Sequence, residues 1–173
     1  MKRNKHGAGF PQLAIKFCLK EAGISYKQVD YFSIRRDPKA KFFTKLLYLA
    51  SNPKGSFTVI KDRLSNSRKV SSLDKELSNI SGLEPETFKG KISQVEHHRS
   101  HLASAFFASP FDEAALLSID GSGDFTTTMI GIGKGTNIKV LDSVDFPHSI
   151  GIFYTAMTQL LGFPYYGDEY KVM

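Results

Sequence analysis

Three short runs dominate what this chain can fold into. Residues 114–119, 125–132 and 138–144 are rich in apolar and β-forming residues. They are separated only by Gly121-Ser122-Gly123 and Gly133-Lys134-Gly135-Thr136-Asn137. Parallel strands need a crossover connection of about a dozen or more residues, so joints this short predict an antiparallel meander of three strands. Around it the pattern predicts helices over residues 12–22, 41–50, 57–64, 73–80, 100–108 and 149–161, and short strands over 31–34 and 91–95. Pro11 suits the opening of the first helix and Gly23 its end. Ser71 or Ser72 is positioned to cap the fourth helix, and Ser149 to cap the last. The mixture places the chain in the α/β class.

The chain has 173 residues, 41% of them hydrophobic and 23% charged, which is ordinary for a globular domain with a sizeable core. No run of roughly 18 or more consecutive apolar residues is present, so no membrane helix is predicted. Cys18 is the single cysteine and falls on the apolar face of the first helix, where it is expected in the core. With no apolar core behind the basic start, the expected location is the cytoplasm. The net charge of +6 is uneven, with Arg35, Arg36, Lys39, Lys41, Lys45, Lys54, Lys61, Arg63, Arg68 and Lys69 crowded into one third of the chain. A solvated basic surface accounts for this, with an anionic ligand or polymer as the alternative; no RNA-binding signature accompanies it, and nucleic acid is not the expected partner.

Three of the five histidines fall within Glu96-His97-His98-Arg99-Ser100-His101. If a helix already starts there, His97 and His101 stand at i and i+4 on one face and can share a metal. Asp120, at a strand end, is the candidate third ligand. A two-histidine, one-carboxylate set with open positions suits iron(II), zinc or manganese. Buried histidines that merely make hydrogen bonds are the competing account. His98 points elsewhere on such a helix. The segment lacks the glutamate that follows the first histidine in zinc peptidases.

Asp120-Gly121-Ser122-Gly123-Asp124 carries a second pattern. Glycines let backbone N–H groups approach an anion, and Ser122 adds a hydroxyl, so Gly121, Ser122 and Gly123 are candidate phosphate contacts. Asp120 or Asp124 could hold a metal bridging phosphate oxygens. A tight hairpin whose glycines supply positive φ explains the same residues. Lys171 and Glu169 could act on an anion or a proton, but nothing local positions them.

Taken together, residues 96–111 and the following Ala114-Ala115-Leu116-Leu117-Ser118-Ile119-Asp120-Gly121 resemble the NodU/CmcH-type O-carbamoyltransferases. Arg3-Asn4-Lys5-His6, Gly9-Phe10-Pro11, Val29-Asp30-Tyr31, Ser149-Ile150-Gly151 with Tyr154, Leu161-Gly162-Phe163 and Tyr170-Lys171-Val172-Met173 are similar to the same family. The resemblance implies a partial actin/hexokinase-like (ribonuclease H-like) ATPase domain, similar to tRNA threonylcarbamoyl-transferases, with the meander and flanking helices. Residues 1–173 would then form part of a carbamoyltransferase N-terminal domain. A mostly helical first part would run to about residue 90, and a metal- and phosphate-binding part would cover 91–173.

The resemblance also implies chemistry. A YrdC-like domain makes carbamoyl-adenylate from carbamoyl phosphate and ATP, and the first domain passes the carbamoyl group to an acceptor hydroxyl. It implies that His97, His101 and Asp120 hold the divalent metal. His98 is the expected proton acceptor beside the hydroxyl. The family's opening strand hairpin, a further aspartate ligand and the YrdC-like domain are not found in this sequence, so the expectation is a fragment, inactive alone. A tRNA-modifying relative and a non-catalytic remnant of the fold are the alternatives.

Overall fold

A computed structural model describes residues 10–52, 73–165 and 167–172. The helix expected over 57–64 and the caps at Ser71 and Ser72 lie outside them. Among the described residues there are five α-helices: α1 (Gln12–Ala22), α2 (Phe42–Ser51), α3 (Leu73–Ser81), α4 (His97–Phe106) and α5 (Ile150–Leu160). The strands are β1 (Phe32–Ile34), β2 (Ile92–Gln94), β3 (Glu113–Gly123), β4 (Thr126–Lys134) and β5 (Asn137–Asp145). None of these helices is long and apolar enough to cross a membrane.

The described residues divide into two compact units, 10–34 with 73–93, and 35–52 with 94–165 and 167–172. Residues 35–52 thus group with the residues after 93, across the division near residue 90 drawn from the sequence. The reason is packing at the end of the sheet. Tyr48 of α2 meets the rings of Phe125 and Phe146 edge-on, with centroids 5.6 and 5.5 Å away. Lys41 pairs with Asp145 at 3.1 Å and donates to Ser143 Oγ at 2.8 Å.

In the first unit, α1 ends at Gly23, whose φ of 66° is the left-handed C-cap that glycine adopts without strain. Its apolar residues Leu13 and Phe17 are exposed. Cys18 is exposed too, contrary to the core position expected for it, because no residue of α1 is buried. The core of this unit is elsewhere. Leu77 of α3 and Phe88 are fully buried, and Phe88 meets Phe32 of β1 edge-on at 5.6 Å.

The second unit contains the meander, in strand order β3-β4-β5 and antiparallel throughout, as the short joints predict. The β4–β5 turn is Gly135-Thr136, with Gly135 at φ 56°. One sheet face carries α4. Leu102 and Phe106 of the helix pack with Leu116 of β3 and Met129 of β4, and Ala114, Ile138 and Val140 surround them. The helix comes close because β4 presents Gly133 below it. A Cβ there would lie 2.7 Å from the Phe106 ring. The opposite face exposes Leu117, Ile119, Ile130 and Ile132.

Two consequences can be measured by chemical denaturation of the chain. Leu102 is 1% exposed, so Leu102→Ala should lower stability by about 2–5 kcal/mol through lost burial and an unfilled cavity. Gly133→Ala should lower it by about 1–3 kcal/mol, because Phe106 must leave its position. A loss below about 0.5 kcal/mol in both would show that α4 is not seated on the sheet as described.

Candidate metal centre

Helix α4 begins at His97, earlier than the 100–108 expected from its apolar residues. Its start is fixed by carboxylates. Glu96, at the N-cap, accepts from the backbone N–H of His98 at 3.1 Å and of Arg99 at 2.7 Å. Asp124 Oδ2 accepts from the N–H of His97 at 3.1 Å. Negative groups at a helix N-terminus satisfy its unpaired donors and its dipole together. Glutamate is an unusual N-cap, so residue preference alone does not reveal this start.

With the helix beginning there, His97 and His101 lie one turn apart, their ring centroids 4.7 Å from each other. The aspartate facing them owes its position to an irregularity in β3. Ile119 pairs with Thr128 and Gly123 with Thr126, so the chain takes four steps along β3 against two along β4. Asp120, Gly121 and Ser122 occupy this bulge, and bulges re-aim side chains away from the regular ladder. The glycines at 121 and 123, which the sequence pattern gives as a joint between strands, belong to this bulged strand.

Three ligand atoms converge as a result. His97 Nε2 lies 2.8 Å from Asp120 Oδ2, His101 Nε2 lies 3.0 Å from His97 Nε2, and His101 Nε2 lies 3.5 Å from Asp120 Oδ2. His97 is largely shielded, while His101 and Asp120 are about two-fifths exposed. Among the described residues this is the group of histidine, cysteine or acidic side chains placed to hold a cation. Each neutral imidazole carries one ring proton. If His97 Nε2–H donates to Asp120, that nitrogen has no lone pair for His101. If it accepts from His101, its lone pair faces the carboxylate. Protons alone therefore leave the triangle poorly satisfied. Ligands about 2.0–2.2 Å from a common ion stand roughly 3 Å apart, the separation found here.

Asp120 is held on both oxygens. Its Oδ1 accepts from the N–H of Gly121 at 2.6 Å. Burial, the largest single influence, raises its pKa. The hydrogen bond from His97, the Gly121 amide and the two nearby imidazoles together outweigh burial and hold the carboxyl below its ordinary value. The backbone behind it is pinned as well. Ser149 Oγ reaches the carbonyls of Gly121 at 2.7 Å and of Asp120 at 3.2 Å, while accepting from the N–H of Ile152 at 3.0 Å. Ser149 is thus the expected N-cap of α5 and a clamp on the bulge. Next to it, a Cβ on Gly151 would lie 2.5 Å from the carbonyl carbon of Asp120.

His98 differs from its expected role. It is fully buried, with Nε2 donating to the Thr126 carbonyl at 3.0 Å and Nδ1 accepting from Ser118 Oγ at 2.8 Å. Both ring nitrogens are engaged. Burial, the leading influence, pushes its pKa down. A neutral, enclosed imidazole with no free nitrogen cannot take a proton from a substrate, so His98 locks α4 to the sheet instead.

The glycine pattern also needs correction. Gly121, Ser122 and Gly123 belong to β3, and none of them turns the chain. The turn is Asp124-Phe125, at φ 50° and 84°, the signature of a type I′ hairpin carried by non-glycine residues. Gly121 has its N–H on Asp120, and Gly123 is the floor beneath His97, where a Cβ would fall 2.1 Å from the ring. Ser122 is exposed. Asp124 does not join the histidines through its carboxylate, which binds backbone amides. Glu169 and Lys171 do have local partners. Thr155 Oγ1 donates to Glu169 Oε1 at 2.7 Å, and Lys171 pairs with Asp168 at 2.7 Å.

Several known proteins are similar to this chain in sequence. An uncharacterized protein of Synechocystis sp. is 40% identical over 99% of the chain, and the nodulation protein NolNO of Sinorhizobium fredii is 31% identical over the whole chain. These alignments cover 28% and 24% of the two relatives, so the chain spans about a quarter of their length. The nodulation protein NolO of Bradyrhizobium diazoefficiens is 40% identical over 46% of the chain and 14% of its own length. The family described as carbamoyltransferase N-terminus matches residues 1–173. The chain therefore belongs to the carbamoyltransferase N-terminal family.

Proposed function

We propose that this chain carries the metal- and phosphate-binding part of an O-carbamoyltransferase. The carrying observation is the convergence of His97 Nε2, His101 Nε2 and Asp120 Oδ2 to within 2.8–3.5 Å of one another. These three residues would hold a divalent cation, iron(II) in the first instance, with zinc or manganese as alternatives. Bound there, the cation would supply charge neutralisation for a phosphate and polarisation of an oxygen. His101 and Asp120 are about two-fifths exposed, so a phosphate could reach such an ion from their side.

In the full reaction, water would cleave carbamoyl phosphate to carbamate and phosphate on a YrdC-like domain, and the carbamate oxygen would attack the α-phosphorus of ATP, giving carbamoyl-adenylate and releasing pyrophosphate. The acceptor hydroxyl then forms a bond to the carbamoyl carbon, the carbon–oxygen bond to the adenylate breaks, AMP leaves with that electron pair, and the hydroxyl proton passes to the departing phosphate or to water. This chain's residues hold the phosphate side still. Asp120 is fixed by Gly121 and by the Ser149 clamp, and the exposed hydroxyl of Ser122 is available to an anion. The actin/hexokinase-like assignment belongs to the same proposal, supported by the antiparallel meander and by α4 on one of its faces.

Metal analysis after loading with iron(II), zinc or manganese tests this. Wild type should retain roughly one equivalent of ion, and His97→Ala much less. Titration calorimetry of the zinc-loaded protein with ATP should show affinity falling at least about tenfold in the same variant. Equal metal content in the two proteins would sink the ligand assignment. A retained ion with no effect on ATP would sink the phosphate role.

Gly123→Ala offers an independent check without altering a ligand. Its methyl must displace the His97 ring, so metal affinity should fall by about 10–100-fold, as for other groups that orient a ligand. Unchanged affinity would mean that His97 is not held where the ligand set requires it.

A further inference from the structure

We infer that Asp124 is the positioning residue of this centre, setting the distance between the histidine helix and Asp120. For its effect on metal, the inference rests on the ligand reading above. Its geometry stands apart from it. Glu96 precedes α4 directly, so its bonds to His98 and Arg99 are local and do not place the helix on the sheet. The remaining first-turn amide, that of His97, goes to Asp124 Oδ2 at 3.1 Å. Asp124 lies in the turn of the β3–β4 hairpin, and Asp120 lies in the bulge of the same hairpin. One hydrogen bond thus ties the first ligand's backbone to the element carrying the third ligand.

The same oxygen accepts from the N–H of Asp37 at 2.7 Å. That contact brings the turn holding Arg35, Arg36 and Lys39 to the edge of the centre. Within it, Asp37 Oδ1 accepts from the N–H of Lys39 at 2.9 Å. Asp124 therefore joins three elements at a single oxygen: the helix start, the hairpin and the basic turn.

Its backbone fits this use. A φ of 50° is left-handed, where aspartate, asparagine and glycine are the tolerated residues. This separates the turn from the hydrogen bonds. Glycine keeps the turn and removes the acceptor. Asparagine keeps both, because its carbonyl oxygen can accept the two amides.

The test compares wild type with Asp124→Gly, Asp124→Asn and Leu77→Ala, the last being a loss of burial in the other unit. Cobalt(II) affinity is read from its visible absorption, and hydrogen exchange at the His97 and Asp37 amides is read by NMR without metal. Asp124→Gly should weaken cobalt(II) by about 10–100-fold, while Asp124→Asn and Leu77→Ala stay within about threefold of wild type. Exchange at the two amides should rise at least about tenfold in Asp124→Gly and recover in Asp124→Asn. Unchanged exchange in Asp124→Gly overturns the inference, as does Asp124→Asn behaving like Asp124→Gly, or Leu77→Ala weakening the metal equally. If wild type takes up no cobalt(II), the ligand reading fails, and amide exchange alone decides the role of Asp124.

Discussion

The seating of α4 on the β3–β4 face is the contact from which the centre follows. Leu102 and Phe106 bury the lower half of the helix against Leu116 and Met129. His98, on the first turn, is enclosed and bonded to both strands through Ser118 and the Thr126 carbonyl. A burial contact alone leaves a helix free to slide by a fraction of a turn. A buried imidazole with directional bonds on both nitrogens restricts that sliding, and the bond from the His97 N–H to Asp124 ties the helix start to the hairpin. His97 and His101 are thereby presented at a fixed height above the bulge. The buried His98 thus serves the two partly buried histidines, His97 and His101.

The meander was legible because period-two apolar runs with short joints admit few pairings. The His97–His101 relation was legible for the same kind of reason, since helical spacing is a geometric fact once a helix is granted. The choice of Asp120 over Asp124 was not settled by residue type, because both are aspartates beside glycines. A bulge that adds residues to β3 alone decides it, and such a count is visible only when β4 is beside it. The role of His98 was misjudged for a related reason. Its neighbours in sequence are polar, and its hydrogen-bond partners, Ser118 and Thr126, lie twenty or more positions away. Residues 35–52 were assigned to the helical first part because sequence proximity favoured it, whereas the ring of Tyr48 finds Phe125 and Phe146 across the fold.

Division of labour among the carboxylates is a second theme. Glu96, Asp120 and Asp124 lie close to the same helix start, yet each has a different partner set. Glu96 neutralises the next two amides of its own helix, Asp124 holds backbone from two other segments, and Asp120 alone turns to imidazole side chains. Binding the first two to N–H groups keeps them out of the ligand position. A cluster of three free carboxylates would repel itself and attract hard cations without selectivity. Only one remains, in company with two nitrogens.

The contact between Gly151 and the Asp120 carbonyl bears on how this family can vary. The start of α5 rests directly on the backbone of the bulge, with no space for a methyl group. Polar ligands can in principle be exchanged for others of similar length, since their surroundings are partly open. The hydrogen atom at position 151 has no smaller or equal substitute. In a lineage drifting under selection for this geometry, the most restricted position need not be one that would touch an ion. It is the one where an absent side chain lets two stretches of main chain meet, and its loss could be compensated only by moving a whole helix.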